Sequence, residues 1–132
     1  MSWIQTVRDI MVRNVVTATP DTNLTDIARL MRKKRVGSVI ITKGRAIVGI
    51  LTEGDFIKLV ARGCDMKNAV AQDHMVRNVV TCDPSVTVID ALMIMRAEKI
   101  RHLPVVKRRN LVGVISIRDL IAATQFSSYY VI

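Results

Sequence analysis

This chain is written twice, and few folds accommodate that. Displaced by 64 residues, "DIMVRNVVTATP" (9–20) lies over "DHMVRNVVTCDP" (73–84), identical at nine of twelve positions. Without a gap, "TDIARLMRKKRVGSVIIT" (25–42) then lies over "IDALMIMRAEKIRHLPVV" (89–106), and "KGRAIVGILTEGDFI" (43–57) over "KRRNLVGVISIRDLI" (107–121). A lone unit of about 60 residues buries too little surface to be comfortable, whereas a fused pair approaches ordinary domain burial. The 132 residues therefore read as two lobes that need each other, face to face, not as an open solenoid.

Each copy repeats one order of elements. "NVVT" starts a β-branched strand, which Pro20 or Pro84 stops. Leu24, Ile27, Ala28 and Met31 fall at i, i+3, i+4, i+7, as do Val88, Ala91, Leu92 and Met95, and the spacing predicts a helix in each copy. "SVIIT" with "AIVGIL", and "HLPVV" with "LVGVIS", predict hairpins whose turns carry Lys and Arg with Gly44 or Asn110. Helices near 53–61 and 117–124 close the copies. The expected fold is mixed α/β (α+β): β-α-β-β-α repeats at 7–62 and 71–124, a linker at 63–70 within a stretch, 61–73, read as short and helical, and a tail at 125–132. Met31, Met93 and Met95 read as core filler, and Met11 and Met75 as one lobe contact made twice.

Composition narrows the partners. Half of the residues are hydrophobic but only 4% are aromatic, so the core must be Val, Ile, Leu and Met. The net charge of +9 favours nucleotides, nucleic acid or acidic protein surfaces. Basic residues gather only in short groups, "MRKKR" (31–35), "KIRH" (99–102) and "KRR" (107–109), with no aromatic residues between them. That is thin support for stacking-based nucleic-acid binding, and solvated helix ends and turns account for the same groups. Cys64 and Cys82 form no CxxC and have no nearby His pair, so a four-ligand zinc site is not expected. Both read as free thiols of a cytoplasmic protein. The N-terminus lacks a signal peptide's apolar core, and no apolar run is long enough to cross a bilayer.

One constellation stands out. "GILTEGDFI" (49–57) and "GVISIRDLI" (113–121) place Thr52 three residues before Asp55, and Ser116 three before Asp119, at the same strand–helix junction. Two readings stand side by side. The pairs resemble capping boxes that satisfy orphan N–H groups, although Asp is shorter than the Glu or Gln such a box prefers. Alternatively they grip a nucleotide. A helix N-terminus attracts phosphate, and a carboxylate one turn in accepts from ribose hydroxyls.

The duplicated unit, its "VVT…P" opening, "RHLPVV", and the close of Gly, two apolar residues, Ser or Thr, and Asp three positions on resemble a tandem pair of CBS domains, the Bateman module, over about residues 7–124. The resemblance implies two repeats packed with pseudo-twofold symmetry. It also implies clefts between them for AMP, ADP, ATP or S-adenosylmethionine. By position, Asp55 and Asp119 would hold ribose hydroxyls, and Thr52 and Ser116 would touch phosphate or ribose. Backbone near Thr17 and Thr81 would read the adenine edge. Val36, Gly37, Ser38 and Val39, with Ile100, Arg101, His102, Leu103 and Pro104, would wall the base. Arg101, His102 and Arg118 would contact phosphate. Taken alone, His102 reads first as a hydrogen-bonded structural residue and not as a catalyst, and His74 receives no role.

The copies differ at these positions. Arg101 and His102 face Gly37 and Ser38; Arg118 is matched by Gly54, and Ile117 by Glu53, whose charge repels phosphate. The site using Asp119 is therefore expected to be the stronger or the more phosphate-selective one. The function expected is a regulatory sensor that forms a homodimer and signals to an effector protein, with nucleic-acid binding as the alternative. No Ser–His–Asp set, metal cluster or paired carboxylates point to catalysis, so an enzyme is not expected.

Overall fold

The computed structural model describes residues 5–123. The elements run α1 (Val7–Ile10), β1 (Thr17–Ala18), α2 (Leu24–Lys34), β2 (Ser38–Lys43), β3 (Ala46–Thr52), α3 (Glu53–Ala61), α4 (Ala71–His74), α5 (Val88–Glu98), β4 (His102–Lys107), β5 (Asn110–Ser116) and α6 (Ile117–Ala123). They form two compact units. The first comprises residues 15–79; the second comprises residues 5–14 together with 80–123. The proposed tail, 125–132, lies outside the described residues.

In the first unit β1 pairs parallel with β2, and β2 antiparallel with β3. In the second unit β4 and β5 form the matching hairpin, but the opening strand shrinks to one parallel bridge, Cys82 with Val105. The cause is a single residue. Ile40 donates its N–H to the Val16 carbonyl at 3.2 Å, and the equivalent position in the second unit is Pro104, which has no N–H. The ladder there keeps only the bonds from Cys82 N to the Pro104 carbonyl (3.1 Å) and from Val106 N to the Cys82 carbonyl (2.9 Å).

Each unit takes its edge from the opening of the other repeat. Val12 exchanges two hydrogen bonds with Val114, at 2.9 and 3.0 Å, and Val76 exchanges two with Ile50, both 3.0 Å. The short helices dock by matched backbone bonds. Val7 N donates to the Val86 carbonyl and Arg8 N to that of Pro84; Ala71 N donates to the Thr22 carbonyl and Gln72 N to that of Pro20. Pro84 and Pro20, which stop the opening strands, thus supply the acceptors that hold α1 and α4.

The core follows the same offset. Val7, Met11, Val88, Ala91, Met95, Leu103, Val105 and Ile115 are buried together in the second unit. Their counterparts Ala71, Met75, Leu24, Ile27, Met31, Val39, Ile41 and Leu51 are buried together in the first. Met31 and Met95 fill cores as expected, but Met93 is 57% exposed and Leu92 40%. Two residues along a helix turn the side chain by about 200°, so Met93 and Met95 occupy opposite faces.

Two local expectations change. Residues 62–70 make turns and a bridge, with no helix. Gly63 stands at φ +75°, and Asn68 Nδ2 bonds Asp65 Oδ2 at 2.6 Å. Thr25 Oγ1 donates to the Met66 carbonyl at 3.0 Å and Asn23 Nδ2 to that of Lys67, tying this segment to α2. The second hairpin also turns elsewhere: Lys107 pairs with Asn110, so the turn is Arg108–Arg109, at φ 52° and 67°, and Asn110 begins β5.

Candidate functional site

The junction after β3 collects residues from three parts of the first unit. The hairpin register sets Ser38 opposite Thr52, and Glu53 N donates to the Gly37 carbonyl at 3.0 Å, so β2 starts where α3 starts. Thr52 is the N-cap of α3 in extended conformation. Its N–H and hydroxyl both donate to Asp55 Oδ2, at 2.9 and 3.0 Å, and its Oγ1 accepts from Asp55 N at 3.4 Å.

The second unit builds the same junction. His102 lies opposite Ser116, and Ile117 N donates to the Arg101 carbonyl at 2.9 Å. Ser116 N donates to Asp119 Oδ2 at 2.9 Å, and Asp119 N to Ser116 Oγ at 3.1 Å. Arg101 and Arg118 are exposed, His102 half-buried. The capping reading of these motifs is therefore physically realised. Thr6 and Asp9 make the same box at α1, so the motif alone is a cap wherever it occurs. In both junctions, as at Asp9, every carboxylate bond falls on Oδ2. Among the described residues Oδ1 of Asp55 and of Asp119 has no hydrogen bond, and an ionised carboxylate has about four acceptor positions.

The sixteen residues singled out in the sequence divide cleanly between the units. Thr17, Val36, Gly37, Ser38, Val39, Thr52 and Asp55 lie in the first; Thr81, Ile100, Arg101, His102, Leu103, Pro104, Ser116, Arg118 and Asp119 lie in the second. Thr17 and Thr81 are exposed. The apolar side chains of the expected wall lie inward. Val39 and Leu103 are wholly buried members of the two cores, and Val36 and Ile100 pack against those cores. Val36 and Ile100 stand just before β2 and β4, and in those strands several successive residues are buried. What remains beside the junctions is Gly37, the buried Ser38, Pro104, and the polar pair Arg101 and His102.

Next to Thr81, burial and then the charge of Asp83 push the Cys82 thiol up to about 11, so it is a packed, protonated group. The exposed Asp83 carboxyl is held below its usual range, first by the Ser85 hydroxyl and N–H, then by Lys107 and Arg8. Both cysteines are free thiols. One contact escaped the sequence reading: Cys64 Sγ lies 3.6 Å from His74 Nε2. The two are ten residues apart across the turns at 62–70, and no periodic pattern relates them. Among the described residues no three His, Cys, Asp or Glu groups gather as a metal cluster, and no helix is long and apolar enough to cross a membrane.

The fold and the paired junctions define a two-repeat module, and comparison with known proteins gives its family. The CBS domain model matches twice, at residues 7–62 and 70–125. The chain is 31% identical over 126 residues to the CBS domain-containing protein YhcV of Bacillus subtilis, covering 95% of this chain and 89% of that one. Among solved structures, the CBS domain protein NE2398 aligns with a TM-score of 0.87 at 27% identity, over 92% of this chain and 98% of that chain. The CBS domain pair of MJ0100, in complex with 5′-methylthioadenosine and S-adenosyl-L-methionine, aligns with a TM-score of 0.85 at 25% identity, over 92% and 96%. The chain belongs to the CBS-domain family and carries a CBS-domain pair.

Proposed function

We propose that this CBS-domain pair is a regulatory sensor that binds an adenosyl ligand at the strand–helix junctions ending in Asp55 and Asp119. The carrying observation is the one-sided use of each carboxylate: capping occupies Oδ2, and Oδ1 stays available to a ribose hydroxyl. The adenosyl compounds bound by the similar MJ0100 pair support the class, and AMP, ADP, ATP and S-adenosylmethionine are the candidates. The second unit sets Arg101, His102 and Arg118 around its junction where the first has Gly37, Ser38 and Gly54. A phosphorylated ligand therefore favours Asp119.

Signalling then follows from population shift: a ligand that contacts one conformation better than another moves the equilibrium by that difference and no more. The receiver is a second copy or an effector protein. Exposed apolar residues on helices, Ile57 and Val60 on α3 and Ile89 and Met93 on α5, support a homodimer. The reading as a non-catalytic, cytoplasmic protein rests on the family and on the two free thiols.

Calorimetric titration with the four candidates, at low and moderate salt, tests the proposal. Saturable binding of one of them at both salt concentrations supports it. If none binds while a nucleic acid does, with affinity falling steeply in salt, the +9 charge is the functional feature instead.

A further inference from the structure

We infer that Cys64 and His74 form a surface site for a zinc-class divalent ion, separate from the nucleotide junctions and independent of the reading above. The argument begins with a length. A tetrahedral zinc ion holds thiolate sulfur at about 2.3 Å and imidazole nitrogen at about 2.0–2.1 Å, which sets the two donors about 3.5 Å apart. The Sγ–Nε2 separation is 3.6 Å. The two atoms already stand at the spacing that one such ion demands.

Both ligands are fixed by backbone bonds that do not involve the metal. Cys64 N donates to the Leu59 carbonyl at 3.0 Å as α3 ends, and the half-buried residue packs against the core of the first unit. His74 closes α4, which hangs on the bonds from Ala71 N to the Thr22 carbonyl (2.9 Å) and from Gln72 N to the Pro20 carbonyl (2.8 Å). Buried Ala71 and Met75 flank it, so the helix carrying the imidazole is clamped on both sides. Little ordering entropy remains to be lost on binding.

Asp65 and Asp73 lie beside the pair in sequence, as do Arg62, Lys67 and Arg77, whose guanidinium donates to the Gln72 carbonyl at 2.9 Å, so the site rests on donor geometry and not on charge. Without metal the contact is a sulfur–nitrogen hydrogen bond. On binding, the thiol proton passes to solvent, the sulfur and Nε2 each donate a lone pair to the ion, and two positions stay open to water. Two protein ligands make an exchangeable site, unlike the closed four-ligand sites of structural zinc.

Titration of the full-length chain with Co²⁺, followed by displacement with Zn²⁺, tests this. The wild type is expected to show thiolate-to-cobalt charge transfer and the intense visible bands of four-coordinate cobalt, both erased by zinc. Cys64→Ser should abolish the charge transfer. His74→Ala should weaken binding at least about tenfold, since even outer-shell partners matter on that scale. Cys82→Ala should change nothing. Circular dichroism of each variant checks that the fold persists. Absence of the charge-transfer band in the wild type overturns the site, and so does equal affinity in His74→Ala, which would mark an adventitious thiol.

Discussion

Gly49 and Met75 touch more closely than any side chain at position 49 would allow. A Cβ built on Gly49 falls 2.4 Å from Met75 Sδ and 2.6 Å from its Cγ; one on Gly113 falls 2.5 Å from Met11 Sδ. The methionine that opens each repeat thus seats on the bare backbone of a strand in the unit it joins. Gly49→Ala should cost about 1–3 kcal/mol by overpacking. Met75→Ala should cost about 2–5 kcal/mol through the cavity it leaves. The double variant should be clearly more stable than the sum implies, because the new methyl group enters the vacated space. Urea unfolding of the four proteins measures the coupling, and strict additivity would contradict the contact.

The turn of the second hairpin is a site for stabilisation. Arg108 and Arg109 both hold positive φ, a conformation two-residue hairpins fill with Asn or Gly. Arg109→Gly should raise stability by about 1 kcal/mol, the steric cost of a left-handed L-residue, less what glycine adds to the unfolded chain's freedom. Gly44→Ala in the first hairpin, at φ +61°, should move stability the other way. Thermal melts of both variants check the opposite signs.

The two junction caps should differ in worth, by the number of bonds each hydroxyl makes. Ser116 Oγ accepts from Asp119 N at 3.1 Å, whereas Thr52 Oγ1 accepts from Asp55 N at a poorer 3.4 Å. Ser116→Ala should cost about 1 kcal/mol, the usual value of an N-cap, and Thr52→Ala more, because the Thr52 hydroxyl also donates to Asp55 Oδ2 at 3.0 Å. Chemical denaturation of the two variants gives the comparison.

Alkaline pH should weaken the fold through Cys82. Its folded-state value, about 11, lies above the ordinary thiol value of 9.0. The contribution is therefore complete below pH 9.0 and is lost as pH rises through about 11, because the unfolded thiol ionises first. Ala18 occupies the matched position in the first repeat, so Cys82→Ala is a mild replacement. Between those limits the wild type should lose melting temperature faster than Cys82→Ala.

Much of the architecture was legible because the repeat supplies two independent readings of each element. Leu24 and Val88, or Val39 and Leu103, are apolar at one offset and buried in the structure at that same offset. The docking of Val7 on Val86 and of Ala71 on Thr22 was not, since contacts so distant leave no local period. Side-chain direction also failed where only spacing was counted: Met93 points away from the core that Met95 fills. The left-handed arginines were hidden for a different reason, because nothing in an Arg–Arg dipeptide announces positive φ. At the junctions the motif was plain and its meaning double. A capping box and a ribose grip call for the same residue types at the same spacing, and the cap at Asp9 uses its carboxylate in the same one-sided way.

The comparison of Asp119→Asn with Asp55→Asn, by calorimetric titration of an adenosyl nucleotide, tests the central claim most directly. Asparagine keeps one oxygen for the cap and gives up the charge and the second acceptor. Melting temperatures should therefore stay close to wild type in both variants. The nucleotide grip predicts that affinity falls at least about tenfold in Asp119→Asn, roughly 1.4 kcal/mol, and by less in Asp55→Asn. Wild-type affinity in both variants would leave Asp55 and Asp119 as helix caps and nothing more.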